Sequence, residues 1–421
     1  MKTITVKSFN QIVFFLCVAI PFLNNYELTF GIWFLALFLT VANRYSVDII
    51  KLTSCYVAIL LIAFVVYFFQ DEGSYNFFRD LSYLLKPIIG LLLGYQFYKK
   101  FPNYVFSTLV GTGTLIAAIH IALVLNTFIQ FRSVSVNLLR EYGGYFSDYE
   151  IYALILVVFA NKFTHTISKK NLIIMGILLA FSSFLYLSRT NFIQFIILYM
   201  AMKGYFKITK KSVSFMAVTT IFVLMGYAVI YNTNPSRTGK GMEAFLYKIK
   251  NAPIEAFKTR VNSSDWKDFN DNYRSYENII TTKQVFRDGA GAVIFGQGLG
   301  SRVNLGQEIY TTDGSIVQYI PILHNGFFTV FLKSGLIGVL FLIFSIYLVA
   351  KQKKTNFQEI ENINRLLIGS SLFLIVSNWV FMGLYLKLDT KSIVIGLLIC
   401  YREALLKIER NQAHLVEVNP S

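Results

Sequence analysis

Charge is scarce in this chain: Asp, Glu, Lys and Arg make up 15% of its 421 residues, against 55% apolar and 16% aromatic. That balance excludes an ordinary soluble domain, in which charged residues approach about 25%. Cysteine is scarcer still. Cys17, Cys55 and Cys400 lie in or beside apolar runs, are odd in number and show no metal-ligand spacing, which excludes a disulfide framework and leaves them as small core residues. No small-residue cleavage site follows the first apolar stretch after Lys2 and Lys7, so that stretch is expected to stay as a helix.

What the chain does have is one apolar run after another. A bilayer core of about 30 Å needs about 20 apolar residues per helical span. Windows at about 9–24, 27–43, 52–69, 77–97, 105–129, 149–163, 171–187, 190–206, 213–231, 322–350, 365–386 and 390–406 fit, which predicts an all-α polytopic membrane protein of about twelve helices. Residues 1–231 would form an N-terminal bundle of about nine helices, 232–321 a large polar and partly helical loop, 322–406 the last spans and 407–421 a tail.

Basic residues fall on alternate links. Lys2 and Lys7, Arg44 and Lys51, Lys99 and Lys100, Lys162 with Lys169 and Lys170, Lys203 through Lys211, Lys351 through Lys354, and Arg402 through Arg410 mark the cytoplasmic side. The links at Asn24–Glu27 and Gln70–Gly73 are poor in basic residues, and the one after Ile129 has Arg132 and Arg140. Both termini are therefore expected in the cytoplasm and the 232–321 loop outside it. The net charge of +16 follows from this asymmetry and does not call for a nucleic-acid partner.

Charges inside the apolar windows are costly, so their positions carry information. Arg79, Asp80 and Lys86 lie in the fourth window. They can form an Arg79–Asp80 anchor with Lys86 paired inside the bundle, or bind an anionic ligand. Arg189 occupies the very short link Ser188-Arg189-Thr190, either as a snorkelling anchor or as a fixed guanidinium aimed at phosphate.

In the long loop, Asn232 to Gly241 reads as irregular, and 242–256 and 266–287 read as helices, with Arg274 between Tyr273 and Tyr276. Gly296-Gln297-Gly298-Leu299-Gly300 precedes Ser301-Arg302 and follows no convincing strand, so close packing or backbone approach explains it better than a nucleotide fold. Asp265, Asp268 and Asp271 are spaced by three, but acidic residues in a first helical turn are expected from the helix dipole, and no metal site is assigned. The loop ends in His324-Asn325-Gly326 at the mouth of an apolar run. A histidine there is either a helix-end cap or a reacting group.

Taken in order, Leu187-Ser188-Arg189-Thr190, Arg274-Ser275-Tyr276, Phe295 to Gly300, and His324-Asn325-Gly326 followed by Ser334-Gly335-Leu336-Ile337-Gly338 resemble the O-antigen ligase and polymerase superfamily of bacterial surface-polysaccharide enzymes. The likeness covers residues 182–346 by motif and the whole chain by topology. It implies a glycosyltransferase C-like architecture in the inner membrane with its site facing the periplasm. It further implies a donor glycan on undecaprenyl diphosphate, an acceptor hydroxyl and no metal or other cofactor. His324, Arg189 and Arg274 would be catalytic. Arg302, Lys86, Arg79, Asn325 and Tyr276 would contact substrate. The acceptor would be another lipid-linked repeat unit for a polymerase, the reading preferred here, or lipid A core for a ligase. Membrane lipids, and among possible partners a chain-length regulator, complete the set. A transporter or flippase of lipid-linked glycan is the alternative of a different class, although no internal repeat supports it.

Overall fold

The computed structural model describes residues 6–23, 25–70, 73–132, 136–206, 210–238, 242–310 and 316–418. Lys2, the Asp71-Glu72 link, and Gly239 and Gly241 of the irregular stretch lie outside the described residues. Helices dominate: α1 (Val6–Ala19), α2 (Tyr26–Leu39), α3 (Val47–Tyr67), α4 (Ser74–Lys100), α5 (Val105–Phe131), α6 (Val136–Gly143), α7 (Asp148–Val158), α8 (Lys169–Leu185), α9 (Arg189–Lys203) and α10 (Lys210–Thr233) come first. The polar segment holds α11 (Met242–Phe257), α12 (Trp266–Asp271), α13 (Tyr273–Arg287), α14 (Ala290–Phe295), β1 (Val303–Tyr310) and β2 (Ile316–Ile320). Helices α15 (Gly326–Ala350), α16 (Gln358–Val380) and α17 (Lys391–Val418) follow.

Each of the twelve apolar windows contains a helix, and among the described residues five helices are both long and apolar enough to cross a membrane: Val6–Leu23, Val47–Tyr67, Pro102–Phe131, Gly326–Ala350 and Gln358–Val380. Their length and composition are those of a membrane protein. One face of α15 shows why. Leu336, Leu340, Ile343, Phe344 and Tyr347 recur at helical spacing and are all exposed, where a soluble helix would carry charge.

The chain is mostly helical, compatible with the expected all-α class, and the polar segment is partly helical; in it β1 and β2 pair antiparallel, with an irregularity between Asn304 and Ile309. The expected 266–287 helix is two helices, with Asn272 ending α12 and its non-helical backbone leading into α13. The expected tail at 407–421 continues α17 as far as Val418.

Glycine sets the two closest helix contacts. A Cβ on Gly94 of α4 would collide with the Ile393 carbonyl of α17, and one on Gly396 of α17 would collide with the Leu91 carbonyl, so these two backbones touch. In α15, Gly335 takes φ 63°, a left-handed conformation that interrupts the helix. The break frees two carbonyls. The Gln297 amide donates to Leu332 O at 2.7 Å and the Gly298 amide to Lys333 O at 3.1 Å, so the glycine segment is a backbone plug for that break. The Leu299 amide donates to Ala63 O of α3 at 3.0 Å and continues the contact. The plug is pinned by charge as well: Lys333 meets Asp80 at 2.5 Å with both side chains buried, and Asp80 accepts the Gly300 amide at 2.8 Å. Close backbone packing is therefore what these glycines do.

Candidate functional site

The polar segment closes on the helix bundle at two neighbouring points. The first is the start of α15. Asn325 is its N-cap, with the side-chain oxygen accepting from the Phe327 amide at 3.0 Å and the Phe328 amide at 3.3 Å. The capping role thus belongs to Asn325, and His324 stands one residue outside the helix.

His324 is held by a carboxylate instead. Its Nδ1 lies 3.0 Å from both Oε1 and Oε2 of Glu277 on α13, and its backbone amide donates to Oε2 at 3.1 Å. The Glu277 side chain is buried at 2% exposure, whereas that of His324 is 52% exposed. A carboxylate accepts hydrogen bonds, so the contact places a proton on Nδ1, and in the neutral imidazole the lone pair is then on Nε2. The Tyr273 ring stands edge-on to the imidazole at 5.8 Å. Burial and the Glu277 charge hold the Tyr273 phenol above its usual range, which keeps it protonated.

The second point is the α8–α9 junction. Leu187 adopts φ 45°, an uncommon conformation for a residue with a branched side chain, and the chain turns there so that Arg189 opens α9. Arg189 donates to Lys248 O of α11 at 2.6 Å and lies 3.8 Å from Glu255. Arg274 of α13 reaches the same carboxylate at 3.1 Å, and its guanidinium lies over the Phe381 ring at 5.2 Å. One carboxylate therefore bridges two guanidinium groups contributed by distant parts of the chain.

Further positive charge surrounds that bridge. Burial lowers the Lys248 pKa, and the Arg140 and Arg189 charges lower it further; burial likewise lowers that of Arg140. Arg140 Nε is buried and has no hydrogen-bond partner among the described residues. Among the described residues, four cations gather around the Glu255 carboxylate, an excess of positive charge that suits an anion.

His324 lines a cavity of about 780 Å³, mostly apolar, with Ile116, Leu123, Met382 and Leu388; Phe381, which lies under Arg274, and Tyr186 at the end of α8 also line it, whereas Arg189, Arg274 and Glu255 do not. The arrangement can bind an anionic head group beside an imidazole base while an apolar chain occupies the cavity.

Of the residues singled out in the sequence, His324, Arg189 and Arg274 are brought to this region, with Asn325 beside His324 as the cap of α15. Lys86, Arg79, Tyr276 and Arg302 make other contacts. Lys86 donates to the carbonyls of Leu386 and Lys387 and lies over Trp33, which fixes the α16–α17 link along the cavity wall. Arg79 pairs with Asp80 at 3.2 Å. Tyr276 is buried and donates to Leu305 O at 2.5 Å, tying α13 to β1. Arg302 lies over the Tyr319 ring on the hairpin. The three aspartates do not converge: Asp265 caps α12, Asp268 meets Lys258, and Asp271 meets Arg237 at 3.0 Å.

Sequence reasoning missed Glu255, Glu277, Arg140 and Lys248. A signal for Glu277 existed, because Tyr273, Glu277 and Thr281 recur every four residues, a polar stripe on the face of α13 that turns inward. Compared with known proteins, the chain matches no family model and no curated sequence.

Proposed function

We propose that this chain is a metal-independent glycosyltransferase of the bacterial inner membrane. It moves glycan from an undecaprenyl diphosphate donor to a hydroxyl of another lipid-linked repeat unit, as a polysaccharide polymerase of glycosyltransferase C-like architecture does. The single observation that carries this reading is the carboxylate-oriented His324 on the wall of an apolar cavity, with Arg274, one turn from Glu277 on α13 and over the cavity residue Phe381, paired to Arg189 through Glu255.

The chemistry follows from the geometry. Glu277 fixes the tautomer, so His324 Nε2 accepts the acceptor hydroxyl's proton as its oxygen attacks the anomeric carbon. The bond from that carbon to the diphosphate oxygen breaks, and negative charge grows on the leaving group. Arg189 and Arg274 are placed to stabilise that charge in a poorly hydrated setting. In this account Glu255 holds the pair apart until the diphosphate displaces it, and the cavity accommodates the polyprenyl chain. The alternation of basic links supports about twelve spans, cytoplasmic termini and a periplasmic site.

His324→Ala should abolish transfer by the purified protein from a lipid-linked glycan while leaving it folded in the membrane. Full transfer activity would sink the assignment. Deletion in the host should give surface lipid capped with a single repeat unit; unattached lipid-linked polymer would instead indicate a ligase.

A further inference from the structure

The cavity has a second histidine, and behind it a buried carboxylate that the reaction above does not use. His120 of α5 lines the cavity, and its Nδ1 lies 2.7 Å from Ser182 Oγ of α8. Ser182 Oγ lies 2.5 Å from Glu150 Oε2 of α7, and Tyr186 donates to Glu150 Oε1 at 2.8 Å. The His120 and Tyr186 rings are stacked at 3.6 Å and 3°. All four residues are buried, and the Glu150 carboxyl has no cation within ion-pair distance among the described residues. Packing explains a buried histidine. It does not explain a buried carboxyl without a countercharge, joined through a serine to an imidazole at a cavity wall.

Two hydrogen-bond patterns satisfy these three groups. With Glu150 ionised, the serine proton points to the carboxylate, so Nδ1–H donates to Ser182 and Nε2 is bare. With Glu150 protonated, its O–H donates to Ser182, the serine donates to Nδ1, and the proton sits on Nε2. The patterns differ by one proton entering at the cavity face. Neither leaves a charge on the imidazole.

We propose that His120, Ser182 and Glu150 form a proton-relay site that exchanges a proton with an oxygen-bound proton of the cavity's ligand and stores it on Glu150. In the uptake direction, the ligand O–H bond breaks and an Nε2–H bond forms. The Nδ1–H bond then breaks as a new Ser182 O–H forms, and the serine's original proton passes to Glu150. The ligand oxygen keeps its electron pair, and the negative charge leaves Glu150 for that oxygen. The ligand class is a hydroxyl-bearing or phosphate-bearing amphiphile, since the remaining wall is largely apolar. The other titratable groups facing the relay are Tyr186 on α8, Glu141 and Tyr142 on α6, Tyr145 just after it, and, farther along the wall, Tyr83, Lys387 and His324. None of them interrupts the chain from His120 to Glu150.

The relay stands apart from the transferase reading, because its test needs no substrate. Full-chain protein with 15N-labelled histidine is taken through a pH titration in lipid bilayers, with the imidazole followed by NMR and protonated carboxyl by infrared absorption. The expected result is that His120, assigned by loss of its signal in His120→Gln, switches from the Nδ1–H to the Nε2–H neutral tautomer over the same pH range in which a carboxyl band removed by Glu150→Gln appears. His120→Gln should also move the midpoint of that band by about one pH unit, tenfold in proton affinity, although residue 120 does not touch Glu150. A His120 that holds one tautomer throughout the Glu150 titration would overturn the relay, and because the wild-type protein reads this, it stands even if a variant fails to fold. His324→Ala should leave both signals in place whether or not it abolishes glycan transfer.

Discussion

Replacing Glu277 with glutamine tests the orientation of His324 without removing a hydrogen-bonding group of the same size. The carboxylate does two things for the imidazole: it fixes the proton on Nδ1 and stabilises the imidazolium that forms when Nε2 takes a proton. With both oxygens 3.0 Å from Nδ1, a unit-charge interaction at an effective dielectric of about 20 comes to about 5.5 kcal/mol. The imidazole is 52% exposed, so water screens much of that. Roughly 2–3 kcal/mol survives, which corresponds to a fall in turnover of about a hundredfold. The amide can also present its NH2 to Nδ1 and stabilise the wrong tautomer, a second loss in the same direction. The assay is single-turnover transfer from a purified lipid-linked glycan, with donor binding measured separately. Turnover should drop while donor affinity stays within a factor of two or three, about 0.6 kcal/mol. A variant with unchanged turnover, or one whose loss lies wholly in donor binding, refutes the orienting role.

Other outcomes follow from the same contacts. Arg274→Lys keeps the charge but not the planar fork that reaches Glu255 and covers Phe381, so donor binding and turnover should both fall at least about tenfold in the transfer assay. Gly335→Ala forces a side chain into a left-handed conformation against the Ile294 carbonyl, and thermal unfolding in detergent should show a loss of more than about 1 kcal/mol. Lys333→Met alone leaves the Asp80 carboxylate buried without its cation, at a cost of about 3–5 kcal/mol, and Asp80→Asn in the same chain should recover much of the lost thermal stability.

How far the fold could be read from the chain depended on how local each cause is. Apolar windows report local periodicity, and each of the twelve contains a helix. Length and apolarity single out five of these, because short helices such as α7 and α9 are completed by packing against neighbours that a window cannot see. The hairpin escaped although Val303, Leu305 and Ile309 are separated by polar residues, since the bulge between Asn304 and Ile309 breaks the strict alternation. In the site, His324 and Arg189 were legible because each is a polar group at an apolar boundary, and Arg274 through the order Arg274-Ser275-Tyr276 in a loop helix. Their carboxylate partners were not. Glu255 sits in a polar helix where a glutamate is unremarkable, and only the fold of α11 onto the α8–α9 junction gives it two guanidinium partners.

The distribution of cations also weighs the transferase reading against the transporter. Carrying an anionic lipid head across a bilayer requires stabilising charge along the whole path, because each uncompensated step in hydrocarbon is costly. Three cations inside the bundle are already taken. Lys86 is bound to the Leu386 and Lys387 carbonyls, Lys333 to Asp80, and Lys391 to Asp148 at 2.5 Å and Asp389 at 2.7 Å. Releasing any of them would strand a buried charge or buried carbonyls. The cations around Glu255 differ, since Arg189 and Arg274 remain partly exposed at 29% and 24% and share a carboxylate that a diphosphate can replace. Cations already bound inside the bundle offer an anion no path, whereas the carboxylate shared by Arg189 and Arg274 leaves a place for one, and this favours the transferase proposal over the transporter.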